Sequence, residues 1–516
     1  MVLGIDTGGT YTDGVLLDYA SRDVLTSFKS LTTRRDFAVG IEAVIDGIQI
    51  DDPTAIKMVS ISTTLATNAI AEGKGRRVGL LLIGYDSELV AKFKMAQRFG
   101  TPHYAYIAGG HDLYGREKEP LDLPAILQQV DAFKQQVDAI AVSSYFSPLN
   151  PEHENEAHAA IRKRCDLPVV LGHQLSTKLG SVERATTAAL NASLLAVLQE
   201  LMLAVRQAMA QRDIDAPLMV VRGDGTLMSA EFAADTPVET IHSGPAASAI
   251  GGRFLSGLDD ALVIDVGGTT TDIALVESGQ VAVSGEGAMV NGYKTAVSAA
   301  NILSIALGGD SHIHLKAGKK LGVGPERVVP LAYLADQYPQ VNQQLKSLSN
   351  RMRARATADW LEYWFLAAAA PDETANTTHE KAIIRLLRDG PQPVPTILKK
   401  LNLLHVGQLD VDNLWRLEVL GKSGLTPTDL LHVEGHFTPW QVEAAQHAVN
   451  LFYRFLYREP AELHQQVWQT MTDMVMRAVI TFLSGKTVPD PTNRQEADDL
   501  GYWLFNNSLY DWHPHL

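Results

Sequence analysis

Cysteine is nearly absent: of 516 residues only Cys165 is one, so an intramolecular disulfide and a cysteine-based zinc site are excluded, and a reducing compartment is expected. Tryptophan is absent from the first 359 residues, and all seven copies follow. Basic charge is in deficit, with 44 Lys and Arg against 59 Asp and Glu, a formal charge of −15. That balance argues against nucleic acid or an anionic membrane as partner. No continuous apolar run approaches the roughly 20 residues of a membrane helix. The chain opens on the strand-like Val2–Ile5 without a basic, long-apolar leader, so a cytoplasmic protein is expected. Glycine is skewed the other way from tryptophan, with 33 of 40 before residue 341. At this length two or three domains are expected.

Residues 1–340 alternate short Val/Ile/Leu-rich runs with amphipathic stretches. Strands are expected at Val2–Asp6, Gly14–Asp18, Val78–Ile83, Ile140–Tyr145, Leu167–Gly172, Leu218–Arg222, Ala261–Asp265 and Ile273–Val276. Helices are expected over 36–48, 121–136, 151–163, 181–211 and 244–256. This is an α/β pattern with a mixed sheet. Residues 341–516 read as a helical region, with helices over Arg351–Ala370, Lys381–Arg388, Trp440–Tyr457 and Ala461–Leu483. Thr426-Pro427-Thr428-Asp429 and Thr438-Pro439-Trp440-Gln441 are expected helix starts, the second a capping box. The expected divisions are 1–175, 176–340 and 341–516.

One motif occurs twice. Asp6-Thr7-Gly8-Gly9-Thr10-Tyr11-Thr12-Asp13 and Asp265-Val266-Gly267-Gly268-Thr269-Thr270-Thr271-Asp272 share six of eight positions at an offset of 259, each between two apolar strands. Paired glycines allow a tight turn whose successive amides form an anion-binding concavity. Threonines add hydroxyl donors, and an acid at the strand end suits Mg²⁺ held through water. Two such loops facing one another would grip a polyphosphate. Gly8, Gly9, Thr10, Thr12, Gly267, Gly268, Thr269 and Thr270 form the candidate phosphate-binding set. Within it Thr12, like Thr271, also suits a tie to a neighbouring strand. Asp6 and Asp265 are the candidate Mg²⁺ acids, with turn capping as the alternative. Asp13 and Asp272 either orient a water nucleophile or serve the hairpin.

These paired loops resemble the two phosphate motifs of the superfamily of sugar kinases, actin and heat-shock chaperone ATPases. Leu307-Gly308-Gly309-Asp310-Ser311 resembles its adenosine motif, making Gly308, Gly309 and Ser311 nucleoside candidates. More specifically, the chain is similar to the hydantoinase/oxoprolinase family at residues 62–69, 146–154, 226–229 and 243–247, and at Thr426–Asp429 with Val433-Glu434-Gly435. The resemblance implies a two-lobed actin/sugar-kinase-like ATPase fold, with ribonuclease H-like mixed sheets and flanking helices, followed by the helical region. It also implies ATP- and Mg²⁺-dependent opening of a cyclic amide such as a hydantoin or 5-oxoproline, a second hydantoinase-type subunit, and self-association. The chain departs from the family at Ile61, where a His is common, at Asp310, where a Gly is common, and after Val323-Gly324-Pro325.

Thr63, Thr64, Thr67 and Asn68 form a hydroxyl-rich corner that either recognises a substrate amide or caps a helix. Ser243 and Gly244, before Pro245, either bind an anion at a helix start or cap it. His153 and His158, amid Glu152, Glu154 and Glu156, read as a solvated acidic helix. His312 and His314 share a strand face without a third ligand for zinc. Trp360 and Trp364 read as an i,i+4 helical pair in a core or interface. Two further functions compete with amide hydrolysis: a kinase with an alcohol or enol acceptor, and a nucleotide-gated switch without catalysis.

Overall fold

A computed structural model describes residues 1–484 except 10, 33–36, 72, 286, 317–319, 352–357, 369–376, 418 and 457–459. Thr10, Trp503, Trp512 and the segment 369–376 lie outside the described residues. The chain divides into two units, Met1–Val263 with Ala274–Ile302, and Ile264–Ile273 with Leu303–Leu516. The second repeat of the motif therefore groups with the C-terminal part.

Unit 1 is built around two larger sheets, one six-stranded and one four-stranded. The first is mixed, in the order β10-β9-β4-β1-β2-β3, from β1 (Val2–Thr7), β2 (Tyr11–Leu17), β3 (Val24–Leu31), β4 (Met58–Thr63), β9 (Leu218–Val221) and β10 (Leu227–Ser229). Burial alternates along β1 and β2, because only one face meets the core. The second is all parallel, in the order β6-β5-β7-β8, from β5 (Val78–Ile83), β6 (His103–Ile107), β7 (Ala139–Ser144) and β8 (Val169–Leu171). Strands β5 and β7 are buried at every position, matching the apolar runs Val78–Ile83 and Ala139–Val142, with Ser143 and Ser144 buried at the end of β7.

One helix, Ser181–Ala210, serves both cores. Ala185, Ala188, Ala189 and Ala192 pack on the parallel sheet, while Leu198, Leu201, Met202 and Val205 pack on the mixed one. This helix is long and apolar enough to cross a membrane on length and composition alone, which the expectation from continuous apolar runs overlooked. Its apolarity is interrupted by Thr and Asn, and 61% of its apolar window is buried inside the protein.

The helix over 151–163 corresponds to Glu152–Arg164, but it is not simply a solvated acidic helix. His153 and Glu154 are buried at its inner face, with Glu154 accepting from Ser144 N at 2.7 Å and His173 N at 2.9 Å.

In unit 2 the hairpin Ser311–Lys316/Lys320–Arg327 precedes a four-stranded sheet, with strands in the order Val329–Pro330, Leu420–Gly424, Tyr363–Leu366, Gln392–Pro393. The region after residue 341 is thus not purely helical. Helix was expected over Arg351–Ala370, yet Tyr363–Leu366 is a strand antiparallel to Leu420–Gly424. The aromatic run Tyr363-Trp364-Phe365 favours a half-buried sheet, and Trp364 packs edge-to-face on Trp415 at 5.0 Å rather than pairing with Trp360 along a helix. Thr426 caps Pro427–Glu434 through a reciprocal box with Asp429. The second expected box is not formed, since that helix begins at Val442, downstream of Thr438.

Candidate functional site

Both copies of the motif fold into the same tight hairpin. In the first, Gly8 N donates to Tyr11 O at 2.9 Å; in the second, Gly267 N donates to Thr270 O at 2.9 Å. Each turn leaves its second glycine, Gly9 or Gly268, at the tip.

Around the first loop, β1 lies between β2 and β4, aligning Asp6 with Asp13 on one side and Ser62 on the other. Ser62 Oγ donates to Asp6 Oδ1 at 2.6 Å, fixing the carboxylate. Asp13 takes an ion pair from Lys29 at 3.0 Å, with both side chains substantially exposed. Thr12 is the strand tie: it is buried, its hydroxyl meets Thr32 Oγ1 at 3.0 Å, and Thr32 Oγ1 donates to Gly8 O at 3.0 Å.

The hydroxyl-rich corner and the helix Ser243–Ser256 converge on Asp6. Thr64 N donates to Thr7 O at 3.1 Å. Ser243 Oγ donates to Thr63 O at 2.8 Å and accepts from Thr63 N at 3.2 Å. A Cβ on Gly244 would lie 3.0 Å from Thr64 Cγ2 and, at ordinary contact distance, 3.8 Å from Asp6 Oδ1, so the glycine lets the helix start pack closely on Thr64 beside the carboxylate. Thr63 and Ser243 are fully buried and act as braces. Thr64, Thr67 and Asn68 are half-buried; Asn68 Nδ2 donates to Thr64 Oγ1 at 3.1 Å, and Thr67 Oγ1 accepts from His242 N at 3.3 Å.

Around the second loop, the Gly308-Gly309 segment packs backbone to backbone. Gly309 N donates to Gly267 O at 2.9 Å and Asp310 N to Gly268 O at 2.8 Å. A Cβ on Gly308 would lie 2.5 Å from both Gly267 O and Gly268 O, so no other residue fits. Ser311 is buried and accepts from Gly308 N at 2.9 Å, and Thr271 Oγ1 donates to Leu307 O at 2.8 Å. Asp272 accepts from Thr270 Oγ1 at 3.2 Å. Burial pushes its carboxyl above the ordinary range, helped by nearby Asp265 and opposed by hydrogen bonds from Ser304 and Thr270. Asp310, the departure from the family pattern, turns its carboxylate to Arg327 at 3.3 Å. Burial nonetheless raises its pKa.

The sequence reading did not place Ser62, Thr428 or Asp429 at the loops. Thr428 donates to Gly309 O through both N, at 2.9 Å, and Oγ1, at 2.8 Å. Buried Asp429 accepts from Ala332 N at 2.8 Å, Thr426 N at 2.9 Å and Leu331 N at 3.2 Å. The available signal was the Thr-Pro-Thr-Asp helix start, whose partner glycine lies 119 residues away.

Among the described residues no three His, Cys, Asp or Glu groups are placed to hold a metal directly. One carboxylate per loop suits Mg²⁺, which retains water and binds phosphate oxygens alongside one or two carboxylates.

The family model for the hydantoinase/oxoprolinase N-terminal region matches residues 2–165, and the hydantoinase/oxoprolinase model matches residues 184–330. The caprolactamase subunit alpha of Pseudomonas jessenii is 30% identical over 353 residues, covering 63% of this chain and 50% of that protein. The acetophenone carboxylase gamma subunit of Aromatoleum aromaticum is 27% identical over 362 residues, covering 63% and 49%. The crystal structure of ATP-dependent caprolactamase from Pseudomonas jessenii superposes with a TM-score of 0.52 at 26% identity, covering 69% of this chain and 56% of that one. Nucleotide-free acetone carboxylase, at 20% identity and a TM-score of 0.56 over 63% and 51%, shares the fold. This chain spans about half the length of the curated relatives it matches.

Proposed function

Because this chain belongs to the hydantoinase/oxoprolinase family, we propose that it is an ATP-dependent enzyme that activates the carbonyl of a cyclic amide for ring opening. ATP supplies the phosphoryl group that makes the amide oxygen a leaving group. Gly8, Gly9, Gly267, Gly268 and Thr269 hold its phosphates, Gly308 and Gly309 its nucleoside, and Asp6 and Asp265 the Mg²⁺ through water. Asp272 holds the proton of the attacking water, and Thr64, Thr67 and Asn68 orient the amide. The fold on this reading is the two-lobed actin/sugar-kinase type.

The observation that carries the proposal is the identical closure of the two loops, Gly8 N to Tyr11 O and Gly267 N to Thr270 O, both at 2.9 Å. Relatives named as subunits favour a partner subunit. Relatives named as acetophenone and acetone carboxylase subunits favour one second reading, phosphorylation of an enolised ketone.

The test is Mg²⁺-dependent ATP turnover across a panel of lactams, hydantoins and ketones, with and without bicarbonate, with D265A as control. Lactam-stimulated phosphate release with a ring-opened product supports the proposal. Stimulation by ketones alone selects the second reading, and no ATP binding by the wild type defeats both.

A further inference from the structure

After β6 the chain passes through Gly109 and Gly110, at φ of +139° and +101°. These glycines lie on Gly84 at the carboxyl end of β5, where a Cβ would meet Gly109 O at 2.8 Å. The loop then turns back on itself. Asp112 N donates to Arg116 O at 2.8 Å, and Lys118 N to Gly110 O at 3.0 Å. Its tip is tied down by Asn150 Nδ2, which donates to Gly115 O at 3.0 Å.

Two histidines meet at the base of this loop, with ring centres 4.3 Å apart. His153, on the helix Glu152–Arg164, accepts from Gly110 N at 2.8 Å through Nδ1. A backbone N–H only donates, so Nδ1 carries no hydrogen and the ring is protonated at Nε2 alone. That nitrogen lies 3.3 Å from Glu117 Oε1. His111 is 3% exposed, and neither of its ring nitrogens has a hydrogen-bond partner among the described residues.

A proton added to either ring works against the closed loop. On His153 it can go only to Nδ1, where it displaces the Gly110 N–H. On His111 it leaves two buried donors without acceptors. Burial, the largest effect, and the neighbouring His153 hold the His111 ring below its ordinary 6.5, outweighing Glu152, Glu117 and Asp112, which favour charge. Glu152, Arg116, Glu117 and Lys118 are exposed, and Asp112 pairs with Arg116 at 2.8 Å. Buried Glu154 is taken by Ser144 N and His173 N, and His173 Nδ1 lies 2.6 Å from its Oε2, so His173, unlike His111, faces a carboxyl group.

We propose that His111 and His153 make this loop an acid-released latch, whose protonation opens the chain at Gly109-Gly110 and frees the carboxyl end of β5. Open α/β sheets take ligands at the carboxyl ends of their strands. Here Ile83 pairs with Ser144 of β7, and the hydroxyls of Ser144 and Ser147 are also buried without a partner among the described residues. Because the closed loop binds the proton less readily than the open one, closure is strongest above the ordinary 6.5 of His111. It weakens as pH falls below that value, about tenfold per unit while one ring titrates.

The test is hydrogen–deuterium exchange of the full chain at about pH 7.5 and about pH 5.5, read by mass spectrometry and corrected for the intrinsic rate. Protection of residues 109–118 is expected to fall about tenfold at the lower pH, with the β7 segment Ala139–Ser144 unchanged. H111F keeps a buried ring without the unpartnered nitrogens, and H153N offers an amide oxygen to Gly110 N. H111F alone is expected to lose less protection than the wild type, and the double variant to hold its protection at both pH values. Should the double variant not fold, H111F decides, and an acid loss as large as the wild type's overturns the proposal. Unchanged wild-type protection, equal acid loss in the folded double variant, or loss of the β7 segment by the same factor overturns it as well.

Discussion

Thr428 gives both its backbone N–H and its hydroxyl to the single carbonyl of Gly309, at 2.9 and 2.8 Å. Gly309 in turn donates to Gly267. The second loop, the Gly308-Gly309 segment and the helix Pro427–Glu434 are thereby linked in series by backbone groups that cannot change rotamer. T428V keeps the shape and the N–H bond but removes the hydroxyl bond. It is expected to cost about 1 kcal/mol of stability, the net worth of one hydrogen bond, and to raise the KM for ATP several-fold, while T428S restores both. Thermal melts and ATP titration of the three proteins check this; an unchanged KM in T428V would show that the helix does not position the loop.

Gly308 tests the backbone packing directly. A methyl group at this position meets two carbonyl oxygens at 2.5 Å, and neither can rotate away. G308A must therefore push the segment off the Gly267-Gly268 turn. A loss above about 2 kcal/mol and loss of nucleotide binding are expected, measured by denaturant melts and a fluorescent ATP analogue. Gly251 has no atom within 4 Å of a built Cβ, so G251A in its helix is expected to be neutral or stabilising.

Much of this was legible in the sequence, for physical reasons. Gly8-Gly9 and Gly267-Gly268 marked hairpins, and at the first glycine of each a Cβ would crowd the turn's own carbonyl, Tyr11 O at 3.0 Å and Thr270 O at 3.3 Å; the expected helix over 181–211 corresponds to Ser181–Ala210. What the sequence concealed was long-range. Ser62 reads as one hydroxyl among several until the parallel pairing of β1 with β4 sets it beside Asp6. Glu154 reads as a solvated acid until Ser144 and His173 enclose it. Trp364 has helical spacing from Trp360, but its strand partners are tens of residues downstream, beyond what local periodicity reports.

Asp272 sets a pH expectation. Its carboxyl is held above the ordinary range by burial and by Asp265. If it accepts the proton of the attacking water, it must be ionised to act. Activity should then fall on the acid side at a pH above that of an exposed carboxylate, and rise as pH increases through its raised pKa. D272N is expected to lower kcat at least about a hundredfold while leaving ATP binding within a few-fold. Comparing the pH profile of kcat with ATP affinity separates a proton-handling role from a hairpin role; equal loss of both in D272N assigns Asp272 to the hairpin.

Glu326 makes the opposite prediction for stability. The hydrogen bond to His312 and the contacts with Lys422 hold its carboxyl at about 2, against 4.5 unperturbed. The folded state thus binds this proton less readily than the unfolded state. Stability from Glu326 is fully present above pH 4.5 and is lost as pH falls toward about 2. The side chain is 52% exposed, so solvent screening reduces the contribution to about 1 kcal/mol. E326Q removes the titration but leaves Lys422 with Glu362 as its remaining ion-pair partner among the described residues. The variant should therefore be less stable than the wild type at neutral pH, with the gap closing at the acid end of the window. Denaturant midpoints at several pH values across that window measure it, and a gap of constant size would mean that Glu326 stabilises the hairpin by packing rather than by charge.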